Sequence, residues 1–338
     1  MNSYLERLEK AIIKKGLSSE YAKVCCNYAS RLIDNNLPVI FDINHLSKLI
    51  GTTTTFISQL MFCDDLYYKV SQIPKKSGGY RELYIPALEL KYIQRWILEN
   101  ILNRIKISDY AVGFRKNYSI LNNAKKHLNK PCVINLDIKD FFPSISFERV
   151  FRVFSYFGYS IQVSYILAKL CTYQGVLPQG SPASPALSNI VSIKLDARLS
   201  KLANKYNATY TRYADDITYS GNCGISKLIS ISKQILNEEG FVLNDKKTRI
   251  TYSHQKQEVT GLIVNNSEAK VCKNYKRKLW QEIYYCQKFG VSNHLKRIEC
   301  NKSFYKEHMY GKAYFVNMVE PSEGKKLLIE LNKIEWDY

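Results

Sequence analysis

Apolar positions along this chain change period several times, and each change marks an element. From residue 1 to about 70 they recur at helical spacing: Leu5, Leu8, Ile12 and Ile13, then Tyr21, Val24, Cys25 and Tyr28. Asp42 or Asn44 can cap a helix through His45, Leu46, Leu49 and Ile50 that Gly51 ends, and Thr52 to Thr55 offer caps for another through Phe56, Ile57 and Leu60. Ile73 to Pro86 reads as a hairpin about Ser77-Gly78-Gly79. An amphipathic helix follows over Glu89 to Ile105, then a basic loop and a helix holding Asn122, Asn123, Ala124 and His127. Val133, Ile134, Leu136 and Ile138 make an apolar run of strand length, stopped by Pro143 and Ser144 before a helix through Phe147, Val150, Phe151 and Phe154. A Pro- and Gly-rich entry, Leu177 onward, leads into one long helix from about Ala183 to Tyr206.

Tyr210 to Ser220 reads as a hairpin with Ala214, Asp215 and Asp216 at its turn. A helix over Ser226 to Glu239, capped by Gly240, precedes a strand containing Lys246, Lys247 and Thr248. A further strand over Glu258 to Asn265 carries Val259, Thr260 and Gly261. From Lys270 the chain turns helical again. Strands alternating with helices in this way predict an α+β fold with helices on one face of the sheet.

Charge narrows the class. Forty-nine Lys and Arg against thirty Asp and Glu give a net +19 over 338 residues, which points to a polyanionic partner, most simply nucleic acid. No run is long and apolar enough to span a bilayer, and no lipidation signal supports a membrane partner. Nine cysteines, without a C-x-x-C pair, suggest neither a disulfide framework nor a zinc site, so a reducing, cytoplasmic setting is expected.

Three carboxylates then stand out. Asp137 interrupts an apolar strand, where an unpaired carboxylate costs several kcal/mol. Asp215 and Asp216 are adjacent like charges at a turn, a cost that a bound divalent ion removes. Alone, that turn reads as a solvated one, since Asp is a common turn residue. With Asp137 on a neighbouring strand, the three could hold two Mg²⁺ ions roughly 3.5–4 Å apart, as in-line phosphoryl or nucleotidyl transfer requires. Template-directed nucleotide addition fits best with the basic charge; a metal-dependent nuclease uses similar carboxylates. Lys75, Lys76 and Arg81 crowd the first hairpin, and Lys273, Lys276, Arg277 and Lys278 interleave with Tyr275. Both clusters suit phosphates and stacked bases, and both are equally readable as solvated basic faces.

Several motifs occur in one order: Y-R-E-L-Y-I-P, L-D-I-K-D-F-F-P-S-I, L-P-Q-G-S-P-A-S-P and Y-A-D-D, between about residues 70 and 265. In that order the sequence resembles a reverse transcriptase. It is similar to the bacterial retron branch in particular, through an N-A-x-x-H element at Asn123 to His127 and a V-T-G element at Val259 to Gly261. The resemblance implies a right-hand polymerase: an N-terminal helical segment over 1–70, fingers over 71–130, a palm over 131–265 to which 160–182 add fingers, and a helical, RNA-binding thumb over 266–338. It implies metal ligation by Asp137, Asp215 and Asp216 with the Ile138 carbonyl. Phe142 would be a steric gate against a 2′-OH, with the larger-than-usual Phe141 beside it. Gln179 and Gly180 would meet the nucleotide, and Arg81 with Lys75 or Lys76 its triphosphate. Tyr213 would position the primer end, and Lys247 would donate a proton or stabilise charge. Asn123, His127, Val259, Thr260 and Gly261 would help seat the RNA. The implied partners are a cognate structured noncoding RNA, its DNA product, dNTPs and a separate effector protein of an anti-phage system. The same motifs leave open a diversity-generating or CRISPR-linked enzyme, or an RNA-binding scaffold.

Overall fold

A computed structural model describes residues 3–74, 78–222, 225–299 and 303–336. Helices α1 (Ser3–Lys14), α2 (Ser19–Asp34), α3 (Ile43–Ile50) and α4 (Thr54–Phe62) open the chain. Asp42 caps α3 by accepting from the His45 N–H at 2.7 Å, Gly51 ends it in the left-handed region, and Thr53 caps α4. Strands β1 (Tyr68–Pro74) and β2 (Tyr80–Pro86) pair antiparallel. Lys75, Lys76 and Ser77 lie outside the described residues. Then come α5 (Leu88–Asn100), α6 (Ile120–Lys125), β3 (Cys132–Lys139), α7 (Phe147–Tyr156), α8 (Ile161–Cys171), α9 (Ser184–Val191) and α10 (Ile193–Lys205). The hairpin expected around Asp215 and Asp216 is β4 (Ala208–Tyr213) and β5 (Asp216–Gly221), followed by α11 (Ile225–Glu238). Short strands β6 (Val242–Leu243), β7 (Arg249–Tyr252), β8 (Glu258–Val259), β9 (Leu262–Ile263) and β10 (Lys270–Val271) lead to α12 (Lys273–Phe289), α13 (Val291–Arg297), α14 (Tyr305–Val319) and α15 (Pro321–Leu331). The mixed α+β class with antiparallel sheets is the one the pattern predicts. Among the described residues no helix is long and apolar enough to cross a membrane.

Three expected elements break where a local bond outcompetes the pattern. The long helix over 183–206 divides at Ser192, because Ser184, Ser188, Asn189 and Ser192 are buried polar residues. Short side chains such as Ser188, whose Oγ donates to the Pro185 carbonyl, compete with helical bonding. The strand expected to hold Lys247 is interrupted by a 3₁₀ turn at Asp245–Lys247, closed by the Lys247 N–H donating to the Asn244 carbonyl at 3.0 Å. The strand expected over 258–265 is a hairpin: Thr260 and Gly261 both take positive φ, 46° and 84°, the two-residue turn that suits strand twist.

The chain forms two compact units. The first comprises Met1–Phe114, Ile138–Arg198 and Lys233–Leu243. In it α5 and α7 pack on α8, and the Ile138–Lys139 end of β3 pairs with β6. The loop Gln179–Gly180 lies on β2: the Tyr84 N–H donates to the Gln179 carbonyl at 2.8 Å. Gly180 takes φ +134, and a Cβ there would stand 2.5 Å from the Tyr84 carbonyl oxygen. The close approach that requires glycine is thus made by the chain's own backbone. Gly180→Ala should therefore lose about 1–3 kcal/mol of stability, measured by denaturant unfolding, since both the φ and the contact are closed to a side chain; an unchanged midpoint would refute the packing.

The second unit comprises Arg115–Asp137, Leu199–Ser232 and Asn244–Tyr338. Here β4, β5, β3 and β7 pair antiparallel in that order. Its apolar core joins β8 to β10 with α12 to α15, through Val259, Leu262, Leu279, Ile283, Met309, Val316 and Leu327.

Candidate active site

Register decides where the three carboxylates meet. On β3 and β5, Asp137 pairs directly with Asp216, and on β4 and β5, Tyr213 pairs with Asp216. Paired residues share one face of the sheet, so Asp137, Asp216 and Tyr213 lie side by side, with Asp215 on the adjoining turn. Like charges directly opposite across two strands are destabilising. This arrangement therefore needs positive charge, and the second unit supplies one lysine. The Lys247 ammonium stands 2.8 Å from Asp137 Oδ2, and the Asn244 amide donates to Asp137 Oδ1 at 3.0 Å. Asp137 is buried, while Lys247 is half-exposed. The hydrogen bond to Asp137 raises the Lys247 pKa, and all three carboxylates add to the effect.

Asp216 is less well served. Desolvation, then Asp215, then Asp137 push its carboxyl up to about 6, and Lys247 offsets only part of this. Asp216 is nevertheless exposed at the first position of β5, while the residues that follow it on the strand are buried. The turn itself is strained. Ala214 holds φ at +57°, where the two-residue turn would ordinarily place glycine. The fully buried Arg212 braces it by donating from Nη1 to the Ala214 carbonyl at 3.1 Å.

These side chains suit a hard divalent cation, for which an all-oxygen donor set with excess negative charge is the natural host. Among the described residues no three His, Cys, Asp or Glu side chains stand close enough together to hold a metal ion. Both Asp137 oxygens are engaged by Lys247 and Asn244.

Behind the hairpin sits His127. It lies just past the end of α6 and is wholly buried. Its Nδ1 is 2.7 Å from Ser220 Oγ on β5, and its Nε2 is 2.8 Å from Thr211 Oγ1 on β4. Burial, with Lys126 and Lys130 adding, lowers its pKa to about 3, so the bridge is a neutral imidazole. Asn123 and Val259 are also fully buried. Asn123, His127 and Val259, expected to help seat the RNA, present no side chain to solvent in this structure. Instead Thr260 Oγ1 donates to the Ile120 carbonyl at 3.3 Å, tying the V-T-G turn to the first residue of α6. Gly261 is exposed at the tip of that turn.

On α12, Lys273, Arg277 and Lys278 are exposed as expected, but two neighbours are not free. Lys276 pairs with Glu320 at 2.7 Å, both largely buried, and Tyr275 packs edge-on to Phe315 with centroids 5.5 Å apart. A single helix pattern could not reveal that this side of α12 faces α14 and α15. In the first unit, Arg81 is exposed on β2, and Ile138 is buried and pairs with Leu243. Phe142 is half-buried, its ring 5.6 Å from Phe141 and 6.1 Å from Phe114. Sequence reasoning missed Asn244 and Arg212. Arg212, a charge set among Tyr210, Thr211 and Tyr213, carried a signal; Asn244 carried none.

A sheet with paired aspartates, a strained Asp turn and a lysine facing them is the constellation of a metal-dependent nucleotidyltransferase. The model of the family "Reverse transcriptase (RNA-dependent DNA polymerase)" matches residues 73–265, more than half of the chain. The chain belongs to the reverse transcriptase family and, within it, groups with the bacterial retron enzymes. It is 33% identical over 313 residues to the Retron Ec86 reverse transcriptase of Escherichia coli, covering 91% of this chain and 94% of that protein. It is 31% identical over 340 residues to the Retron Mx162 reverse transcriptase of Myxococcus xanthus, covering 89% and 68%. Among solved structures, a telomerase from Candida albicans overlaps 80% of this chain and 59% of that one, with a TM-score of 0.45 and 13% identity. The family uses divalent metal ions, in keeping with the donor set described above.

Proposed function

We propose that this reverse transcriptase copies a cognate structured noncoding RNA into DNA, primes from the 2′-OH of an internal guanosine, and leaves a branched RNA–DNA product. The observation that carries the chemistry is the Asp137–Asp216 cross-strand pair beside Asp215 on a strained turn, answered by Lys247. The retron-specific part is supported by similarity to proteins named as retron reverse transcriptases over most of the chain.

In this reading Asp137, Asp215 and Asp216 hold two Mg²⁺ ions, with the Ile138 carbonyl assisting. When bound, such ions lower the pKa of the attacking hydroxyl and offset charge on the departing pyrophosphate. Lys247, which holds Asp137 in this structure, would serve as proton donor to, or charge stabiliser of, the pyrophosphate. Tyr213, paired with Asp216, positions the primer end. Arg81, with Lys75 or Lys76, binds the triphosphate, and Gln179 and Gly180 meet the nucleotide. The segments 1–70 and 71–130 serve as fingers, 131–265 as palm and 266–338 as thumb. The exposed Lys273, Arg277 and Lys278 contact the RNA backbone. A separate effector protein and a cytoplasmic role in anti-phage defence complete the reading.

Nucleic acid copurifying with the chain tests it. The expected result is one RNA species joined to single-stranded DNA through a linkage that a debranching nuclease cuts. RNA of mixed sequence without attached DNA would count against it. Phe142 supplies a second check as the gate. Phe142→Ala should reduce discrimination against rNTPs in primer extension by about tenfold or more, and unchanged discrimination would remove Phe142 from that role.

A further inference from the structure

Gly290, at φ +80°, turns the chain between α12 and α13. Between these two helices lies a cavity of about 280 Å³ lined by Tyr285, Phe289, Asn293, His294 and Arg297. It is near the small end of ligand pockets, about 300–1,000 Å³, with room for one planar ring system. Its walls are aromatic: the Tyr285 and Phe289 centroids are 6.1 Å apart, and His294 lies 5.6 Å from Tyr285. Its rim is cationic: the Arg297 guanidinium sits 5.8 Å over the Tyr285 ring, and the Lys288 ammonium 5.4 Å from the Phe289 ring.

The floor carries the second observation. His294 is 4% exposed, and its Nε2 has no hydrogen-bond partner among the described residues. A buried ring nitrogen left unpaired costs about 1–3 kcal/mol unless something meets it. Burial holds this imidazole's pKa below its ordinary value, and Arg297 adds to that against the opposing Glu282. The ring therefore offers one donor or one acceptor according to its tautomer. Phe289 is 45% exposed, an aromatic face turned to solvent beside this group. The adjoining stripe of α12 carries the exposed Arg277, Gln281, Tyr284 and Lys288, at spacings of four, three and four residues.

We propose that this cavity captures a single unpaired nucleobase of the bound RNA, stacked against Phe289 and Tyr285 and read on its edge by His294 Nε2 and Arg297. The proposal rests on the reading of the chain as an RNA-binding reverse transcriptase. Base–aromatic stacking contributes about 1–3 kcal/mol per base, and a flat aromatic wall with a cationic rim is the form it takes. Arg277, Lys278 and Lys288 would guide the adjoining backbone toward the cavity.

The test begins with ultraviolet cross-linking of the full chain to its copurifying RNA, where Phe289 or Tyr285 should join one unpaired nucleotide. Affinity is then measured for wild type and Phe289→Ala, each with that RNA intact or abasic at the cross-linked position. Phe289 is solvent-exposed, so its loss leaves the fold in place. Each single change should weaken binding by about 5- to 150-fold, and the two together no more than either alone. Additive losses, or equal affinity of Phe289→Ala and wild type, would overturn the proposal. In parallel, AMP, GMP, CMP and UMP are titrated against the chain by saturation-transfer NMR. Contact to the Phe289 ring from a chain that retains no RNA would uphold the pocket while rejecting the RNA reading; retained RNA without base contact would do the reverse.

Discussion

Replacing Asp215 and Asp216 together with asparagine is expected to lower DNA synthesis by at least about 10³-fold, because loss of even one transition-state contact typically costs about 10²–10³. The same change should raise, not lower, the metal-free melting temperature at pH 7.5. The reason is the sign of the Asp216 shift. Its folded pKa, about 6, lies above the ordinary aspartate value of 3.8. A raised carboxylate contributes stability that is fully present below the unfolded pKa and is lost as pH rises through the folded one. In the metal-free chain this group therefore becomes a burden between about pH 4 and pH 6 and stays so at pH 7.5. Asparagine does not titrate and carries no charge against Asp137. The wild type should thus lose melting temperature relative to the variant between pH 4 and pH 7.5. Saturating Mg²⁺ should restore it in the wild type alone. A variant that melts well below the metal-free wild type at pH 7.5 would show that the aspartates serve the fold rather than a cation.

The second large effect lies behind the hairpin. His127→Phe keeps much of the ring volume but strips partners from Thr211 and Ser220, both fully buried. Leaving two buried hydroxyls unpaired costs about 1–3 kcal/mol each, so a loss of about 2–5 kcal/mol is expected in urea unfolding. His127→Gln, which keeps a donor and an acceptor, should recover part of it. Because Thr211 and Ser220 lie on the two strands that carry the Asp215 turn, the incorporation rate should fall more than the apparent affinity for dNTP. Linkage adds a signature. The His127 pKa is depressed from 6.5 to about 3, so its stability is present above pH 6.5 and lost as pH falls toward 3. The phenylalanine variant should lack that acid sensitivity. Wild-type stability in His127→Phe would remove the bridge from the account.

The three carboxylates proposed as metal ligands were legible in the sequence because their signals are local. Asp137 breaks an apolar strand run, and Asp215 and Asp216 sit between two β-rich segments. What escaped was set by partners distant in the chain. Lys247 read as a strand residue, but it closes a 3₁₀ turn on the Asn244 carbonyl, and its ammonium reaches Asp137, 110 residues away. His127 read as one of the residues that help seat the RNA, and the hydroxyls that hold it, 84 and 93 residues away, were not readable. Lys276 read as a phosphate contact, yet Glu320 takes it. In each case a polar pattern marked an important residue, and only tertiary contact decided whether it faces ligand or core. Gly180 shows the same limit: its need for a missing side chain was readable, but the carbonyl of Tyr84 that imposes it was not.

The central claim is that Asp137, Asp215 and Asp216 form the metal site of an enzyme that copies RNA into DNA. The most direct measurement incubates the purified chain and its copurifying RNA with labelled dNTPs, with Mg²⁺ or with EDTA, and resolves the product before and after RNase. Labelled single-stranded DNA that starts attached to RNA, forms with Mg²⁺ and vanishes with EDTA is the predicted result. DNA synthesis that persists in EDTA, or none from wild type under any divalent ion while RNA remains bound, would contradict it.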